Sequence, residues 1–170
     1  MDKNKSLLKP QVEELLNKLI GVEYSAMYLY KAISIWADSC GLFGVRDYFK
    51  KQSVEEQEHG NKVIDYIVDR NACAHLPAIS CKPIDKSNLL DILKMYIEHE
   101  LAVEKAWTNA ITVINEARDE TTYKFAQWYI EEQIAEIATA TDILQHYNVA
   151  ANGTGVGYAE SYIDNWITKL

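Results

Sequence analysis

The sequence predicts an all-α protein: four long helices in a bundle, one long crossover between the second and third, and a short fifth helix. Three observations carry this. Turn-formers are scarce: the 170 residues include three Pro and seven Gly, and three of the Gly crowd into Gly153–Gly157. Apolar residues recur at three- and four-residue steps over four long segments, the period of an amphipathic helix. No alternating segments are joined by a tight Asn-Gly turn, so nothing reads as a strand. Asn152-Gly153 follows a helical pattern and precedes a Gly-rich hinge.

The elements follow in order. Pro10 suits the first turn of a helix, where its missing N–H is not needed. That helix ends at Asp38-Ser39-Cys40-Gly41. A second helical pattern runs from Leu42 to about Asn71. Ala72–Ser87 holds Pro77 and Pro83 and reads as a long connection. The third helix begins near Asn88, with Ser87 as the expected N-cap, and runs to about Arg118. The fourth spans about Thr121 to Tyr147. Asn152–Gly157 is a hinge, and Tyr158–Thr168 fits a short last helix. Each long helix measures roughly 40 Å at 1.5 Å per residue. The short first connection makes the first two helices antiparallel neighbours. The expectation is a single domain over 1–170, with the bundle at about 9–148 and the last helix at about 158–168.

Composition narrows the function. Hydrophobic residues make up 48%, enough for a globular core and too many for a disordered chain. The formal net charge of −8 disfavours nucleic acid and anionic membrane as partners. No segment approaches the roughly 20 apolar residues of a membrane span. Met1–Lys18 is dotted with Lys and Glu and does not resemble a secretory leader, so a cytoplasmic location is expected. Cys40, Cys73 and Cys81 form an odd set without a CxxC pair, which suits reduced thiols. Cys73, His75 and Cys81 lack a fourth ligand at zinc spacing.

The apolar stripes carry the decisive pattern, because each is interrupted by polar residues. The first runs Leu16, Leu19, Glu23, Ala26/Met27, Tyr30, Ile33. The second runs Val45, Phe49, Gln52, Glu56, His59, Val63, Tyr66. The third runs Leu93, Tyr96/Ile97, Glu100, Val103, Trp107, Ile111, Ile114. The fourth runs Phe125, Tyr129, Glu132/Gln133, Glu136, Ala140, Ile143, Tyr147. The expected helix midpoints fall near residues 24, 56, 103 and 134, at the interruptions. In a bundle of similar helices, midpoints share one level. Glu23, Glu56, His59, Glu100 and Glu136 are therefore expected to converge on one spot in the core.

A buried carboxylate must be protonated, paired or bound to a metal. The stripes hold too few basic residues to pair four of them. Two divalent cations bring +4. An oxygen-rich set with one imidazole suits iron or manganese better than structural zinc. Glu56-Gln57-Glu58-His59 is an ExxH, which puts both side chains on one helix face. Di-iron bundles carry ExxH on two helices; here the fourth helix has Gln133-x-x-Glu136, so the expected site is asymmetric.

On these motifs the chain resembles the ferritin family, most closely the bacterial non-haem type. Glu23-Tyr24-Ser25-Ala26-Met27-Tyr28-Leu29-Tyr30 resembles the family's first-helix pattern, a ligand Glu with Tyr seven residues on. Tyr48-Phe49 with Glu55-Glu56-Gln57-Glu58-His59, then His99-Glu100, then Gln127-Trp128-Tyr129 with Glu132-Gln133-x-x-Glu136, resemble the other three. The likeness covers nearly the whole chain.

The resemblance implies a ferritin-like bundle and a ferroxidase centre. Glu23 and His59 would hold a first iron, and Glu56 would bridge. Glu100 and Glu136 would hold a second, with Gln133 beside it. Tyr30 would hydrogen-bond near the site and could donate an electron. Such subunits bind two Fe(II), oxidise them with O2 or H2O2, and deposit ferric mineral inside a hollow homo-oligomeric shell of twenty-four subunits. Glu55, Glu132 and Glu136 match three carboxylates of a third iron site; the fourth position is Ala135, which cannot bind metal.

Other departures bear on function. Acidic residues of the animal-type threefold channel fall at Tyr123 and Ala126, so that route for iron is not expected. The haem-ligating Met of bacterioferritins falls at Gln57, so no haem is expected. No CxxC module of the rubrerythrin kind is appended. His99, on another helix face from Glu100, as well as His75, His146, Tyr24 and Trp128, are read as packing or surface residues. Two rivals share the fold class: a di-iron oxidase or peroxide scavenger that stores little iron, and a purely structural or partner-binding bundle. The latter leaves the buried Glu cluster unexplained.

Overall fold

The computed structural model describes residues 5–80, 83–85, 88–153 and 155–170. Its helices are α1 (Pro10–Ser39), α2 (Phe43–Asp69), α3 (Leu89–Glu116), α4 (Glu120–Ala151) and α5 (Val156–Trp166), with a 3-10 turn over Ile167–Lys169. No strand occurs among the described residues. None of the described helices is long and apolar enough to cross a membrane.

Three of the long helices stop by one device. After α1, Leu42 N–H donates to Ala37 O and Gly41 N–H to Asp38 O. After α2, Ala72 N–H reaches Ile67 O and Asn71 N–H reaches Val68 O. After α3, Asp119 N–H reaches Ile114 O and Arg118 N–H reaches Asn115 O. Each pair is a Schellman motif, which needs a left-handed residue just past the cap. Gly41 (φ 76), Asn71 (φ 54) and Arg118 (φ 51) adopt that conformation. Gly does so without a Cβ penalty, and the other two pay a steric cost. Two of the resulting turns fold the chain into antiparallel pairs, α1 with α2 and α3 with α4.

Helix starts differ from expectation at α3, α4 and α5. The α3 N-cap is Asn88, whose side chain accepts from Asp91 N at 2.9 Å. The expected cap, Ser87, lies outside the described residues, as does Cys81. Asp119 caps α4 by accepting from Thr122 N at 3.0 Å, so the helix begins at Glu120. At its far end α4 runs on to Ala151, past the expected stop at Tyr147. Asn148–Ala151 contain no helix breaker; Gly153 (φ 91) supplies one. The fifth helix likewise starts early, at Val156, directly after Gly155 (φ 91).

The crossover lies along α1. Asn17 accepts from His75 N at 2.6 Å and donates to Cys73 O at 3.1 Å. Cys40 and Cys73 are exposed free thiols. At the other end α5 clasps two helix N-termini with carboxylates, which suit the positive end of the helix dipole. Asp164 Oδ1 accepts from Val45 N at 2.9 Å, and Glu160 Oε1 from Leu89 N at 3.1 Å.

The stripes are buried largely as expected, with one shift: Ile67 rather than Tyr66 closes the buried face of α2. Tyr66 is half-buried, donating to or accepting from Thr122 at 2.9 Å and stacking on Phe125. The apolar core forms two clusters. One gathers Val12, Leu16, Ile67, Trp107 and Ile114; the other gathers Ile33, Phe49, Leu93, Ile143 and Ile163. Between them lies the polar level of Glu23, Glu56, Glu100 and Gln133.

Candidate metal centre

Four helices deliver this level. α1 brings Glu23, α2 brings Glu56 and His59, α3 brings Glu100, and α4 brings Gln133 and Glu136. Glu23, Glu56, Glu100 and Gln133 are at most 5% exposed. His59 and Glu136 are half-buried.

Glu23, Glu56 and His59 make one half of the centre. His59 Nδ1 lies 3.3 Å from Glu56 Oε2 and 3.7 Å from Glu23 Oε2. One ligand atom from each of the three falls within 4.8 Å of the others, the spacing a single cation can span. Glu23 Oε1 accepts the indole N–H of Trp107 at 2.6 Å. Trp107 stacks on Tyr129 at a centroid distance of 3.7 Å, and the Tyr129 hydroxyl donates to His59 O at 2.8 Å. An aromatic shelf from α3 and α4 thus braces the acid of α1 and the imidazole-bearing turn of α2.

Glu100 anchors the other half. The Tyr30 hydroxyl and the Gln133 amide both donate to its carboxylate, and Gln133 Nε2 also donates to Glu100 O at 3.0 Å. Glu136 sits beside this group, with Tyr96 OH 3.4 Å from its Oε2. Among the described residues, Glu23, Glu56 and His59 are the group of three closed to metal-binding distance. Glu100 and Glu136 lie outside that group, and each meets a hydroxyl, Tyr30 at Glu100 and Tyr96 at Glu136.

The electrostatics show what the level lacks. Burial, then the Glu56 charge, pushes the Glu23 carboxyl well above its ordinary value. Burial and the Glu100 and Glu136 charges do the same to Glu56. Burial raises Glu100 against the lowering effect of its bonds from Tyr30 and Gln133. Glu136 rises to about 7 through burial and the Glu100 and Glu55 charges. The ionised layer is thus unfavourable as it stands. Among the described residues, the ion-pair partner of Glu23 and Glu56 is His59, with no Lys or Arg in range. Glu56 Oε2 is buried without a hydrogen-bond partner. A buried acceptor left unmatched, amid acids that repel one another, fits a bound cation. The donor set, oxygen-rich with one imidazole, fits iron or manganese.

The residues matched to a third site are less gathered. Glu55 and Glu132 are near enough for their charges to raise Glu136. The carboxylate of Glu55 is engaged by the amide of Gln52, and Ala135 is exposed.

Sequence reading passed over several contributors. Trp107 stands in an apolar stripe, yet its N–H donates to Glu23 at 2.6 Å. Tyr96 stands in the third apolar stripe and Tyr48 in the second-helix motif, and both hydroxyls join the polar network. The available signal was their type: a buried Trp or Tyr normally finds a partner for its polar atom. His99, set on another face, reaches the edge of the site, with Nδ1 3.5 Å from Tyr30 OH. Trp128 packs edge-on against His59 at 5.2 Å and lies under Lys62 Nζ at 3.1 Å. Tyr24 donates to Asn61 Oδ1 at 2.7 Å, and the His146 ring stacks on Trp166.

Comparison with known proteins agrees with this architecture. The ferritin-like domain family matches residues 13–149. The bacterial non-haem ferritin of Staphylococcus aureus (strain MRSA252) is 32% identical over 132 residues, covering 78% of this chain and 80% of the relative. A probable bacterial non-haem ferritin-like protein of Haemophilus influenzae is 26% identical over 164 residues, covering 96% and 99%. Among solved structures, an open-pore ferritin from Archaeoglobus fulgidus superposes with a TM-score of 0.89 at 27% identity, covering 96% of this chain and 98% of that one. An engineered closed form of the Archaeoglobus ferritin gives 0.89 at 28%. A four-helix bundle with a carboxylate level at mid-depth, matched over this length, makes the chain a member of the ferritin family, of the bacterial non-haem kind.

Proposed function

We propose that this chain is a ferroxidase subunit of an iron-storing cage. Family and fold support an iron-storage role. The observation that carries the finer reading is the Glu56 oxygen that accepts no hydrogen bond, beside the His59 imidazole and within a buried layer of mutually repelling acids. Its substrate is Fe(II), two per subunit. Glu23 and His59 bind one, Glu56 bridges, and Glu100 and Glu136 bind the other beside Gln133.

The chemistry belongs to the iron. Each Fe(II) gives one electron, and O2 taking up two electrons and two protons becomes H2O2. With H2O2 as oxidant, two electrons and two protons give two waters. The protein binds, orients and stabilises. Carboxylates favour the ferric product over the ferrous substrate, because the added positive charge falls among anions. Tyr30 holds Glu100 in place and is the nearest phenol to supply a further electron. Trp107 fixes Glu23. The two apolar clusters keep bulk water from the layer, which strengthens every charge interaction inside it.

Oxidised iron would then pass to a mineral core within a shell of twenty-four copies. Large apolar side chains left exposed on the subunit, Tyr28, Ile35, Leu101 and Ile134 among them, support burial between copies. Tyr123 and Ala126 offer no carboxylate to an acidic channel, so iron reaches the centre by another path. Aerobic mixing with Fe(II) tests the reading. Glu56→Ala is expected to abolish fast oxidation while leaving assembly intact. Unchanged oxidation kinetics in that variant would overturn the assignment. Loading with hundreds of Fe(II) per cage separates storage, which gives a soluble mineral, from a scavenger, which leaves a precipitate.

A further inference from the structure

Beside the centre runs a buried chain of hydrogen bonds with no stated role. Tyr48 and Tyr96 meet hydroxyl to hydroxyl at 3.1 Å. The Tyr96 hydroxyl reaches Gln52 Oε1 at 2.9 Å and Glu136 Oε2 at 3.4 Å. The Gln52 amide nitrogen in turn donates to Glu55 Oε2. Tyr96 is fully buried, and Tyr48 and Gln52 are at most 6% exposed. At that burial each polar atom relies on its neighbour in the chain for a hydrogen bond.

Donor logic gives the chain a direction. Glu55, as an anion, only accepts, so the NH2 end of Gln52 must face it. That leaves Gln52 Oε1 toward Tyr96, which must donate. The single Tyr96 proton then has two acceptors in reach, Gln52 Oε1 and Glu136 Oε2. Tyr48, whose hydroxyl touches that of Tyr96, donates to the phenol oxygen and fills its remaining need. A reversed amide would set a carbonyl against a carboxylate. The orientation of the Gln52 amide is therefore fixed, and the network ends on two acids, Glu55 and Glu136.

The two acids belong to different helices, α2 and α4, and Tyr96 comes from α3. The aromatic neighbours fix Tyr96 as well: it meets Tyr30 edge-to-face at 5.2 Å and Phe49 at 5.1 Å. It is thus a rigid post between two otherwise independent carboxylates. Glu23 and His59 are braced separately, by Trp107 and Tyr129.

We propose that Tyr96, backed by Tyr48 and acting through Gln52, is a positioning residue that presets Glu136 and Glu55 as one metal-binding edge. This rests on the ferroxidase reading above and adds the device that orients its α2–α4 edge. Preset ligands lose less freedom on binding, so the device raises metal affinity on that edge without touching the metal. Glu23, Glu56 and His59 do not depend on it.

The test is an anaerobic titration of the assembled protein with Co(II), a stand-in for Fe(II) that resists oxidation and reports its ligands through visible absorption. Wild type is expected to show binding on both sides of Glu56. Tyr96→Phe and Gln52→Leu are each expected to weaken the weaker phase about tenfold, within the 10–100-fold range for outer-shell partners. The phase due to Glu23 and His59 should keep its affinity and spectrum, and the metal-free variants should keep the thermal midpoint of wild type. A merely structural role would instead degrade both phases alike. If Tyr96→Phe fails to assemble, Gln52→Leu decides by the same readout. Unchanged isotherms in these variants, against a wild type that binds Co(II), overturn this proposal and leave the ferroxidase reading standing. A wild type that binds no Co(II) overturns both.

Discussion

The indole N–H of Trp107 donates to Glu23 Oε1 across 2.6 Å, joining α3 to α1 between residues 84 apart in the chain. This bond opposes the upward push of burial on Glu23, because it favours the ionised acid that a metal requires. Trp107→Phe keeps the ring and its stacking on Tyr129 but removes the donor. The expected result is a loss of about 1–3 kcal/mol in stability and weaker metal binding beside His59. Calorimetric titration with Fe(II) under argon checks it; wild-type affinity would contradict the role given to the indole.

Glu56 should behave oppositely with and without metal. Its carboxylate is raised well above the ordinary range by burial and two neighbouring acids, and one oxygen accepts no hydrogen bond. Glu56→Gln removes a charge that costs stability in the metal-free protein. The metal-free variant is expected to melt a few degrees above wild type, while rapid Fe(II) oxidation is lost. A metal-free melting point below that of wild type would show that Glu56 is not strained.

The acids of the centre predict a pH dependence. Glu136 rises from the model-peptide value of 4.5 to about 7, and Glu23, Glu56 and Glu100 shift the same way. A group raised on folding contributes stability that is complete below its unfolded value and is lost as pH climbs through its folded value. Metal-free protein should therefore lose stability as pH climbs from about 4.5 through about 7, where Glu136 ionises, and further as Glu23 and Glu56 follow. Bound divalent metal should flatten that fall, since the ionised acids then have a cation. Thermal scans from pH 5 to pH 8, with and without metal, give the comparison. A metal-free midpoint that climbs with pH would refute it.

Gly44 tests the seating of α5. A Cβ there would stand 1.8 Å from Asp164 O, a backbone atom that cannot swing aside. Gly44→Ala should displace α5, release the Asp164 bond to Val45 N, and cost several kcal/mol. Hydrogen exchange at Val45 and across α5 should speed up before the rest of the bundle responds. Protection equal to wild type would mean that α5 tolerates the shift.

The centre and its frame were unequally legible. The four interrupted stripes placed Glu23, Glu56, Glu100 and Gln133 in the core, because a helix repeats every 3.6 residues and any polar residue in register with an apolar stripe must be buried. Glu136 lies in the same stripe yet is half-buried, since α4 turns that position toward the edge of the bundle. Helix ends were read to within a few residues. The misses were local: Asn88 caps where Ser87 was expected, and α4 continues through Asn148–Ala151 until Gly153. Both depend on weak preferences that neighbouring residues decide.

What sequence alone determined is the list of acids and the depth at which they sit; periodicity fixes both, since each is a property of one helix. What only the tertiary structure decided is who holds them. Trp107 on Glu23, Tyr30 and Gln133 on Glu100, and Tyr96 between Gln52 and Glu136 are contacts between helices. Such pairs depend on the relative rotation and rise of two packed cylinders, which the period of neither one contains. The same holds for Glu56 Oε2, whose lack of a hydrogen bond and whose contact with His59 Nδ1 at 3.3 Å both depend on where the neighbouring helices stand.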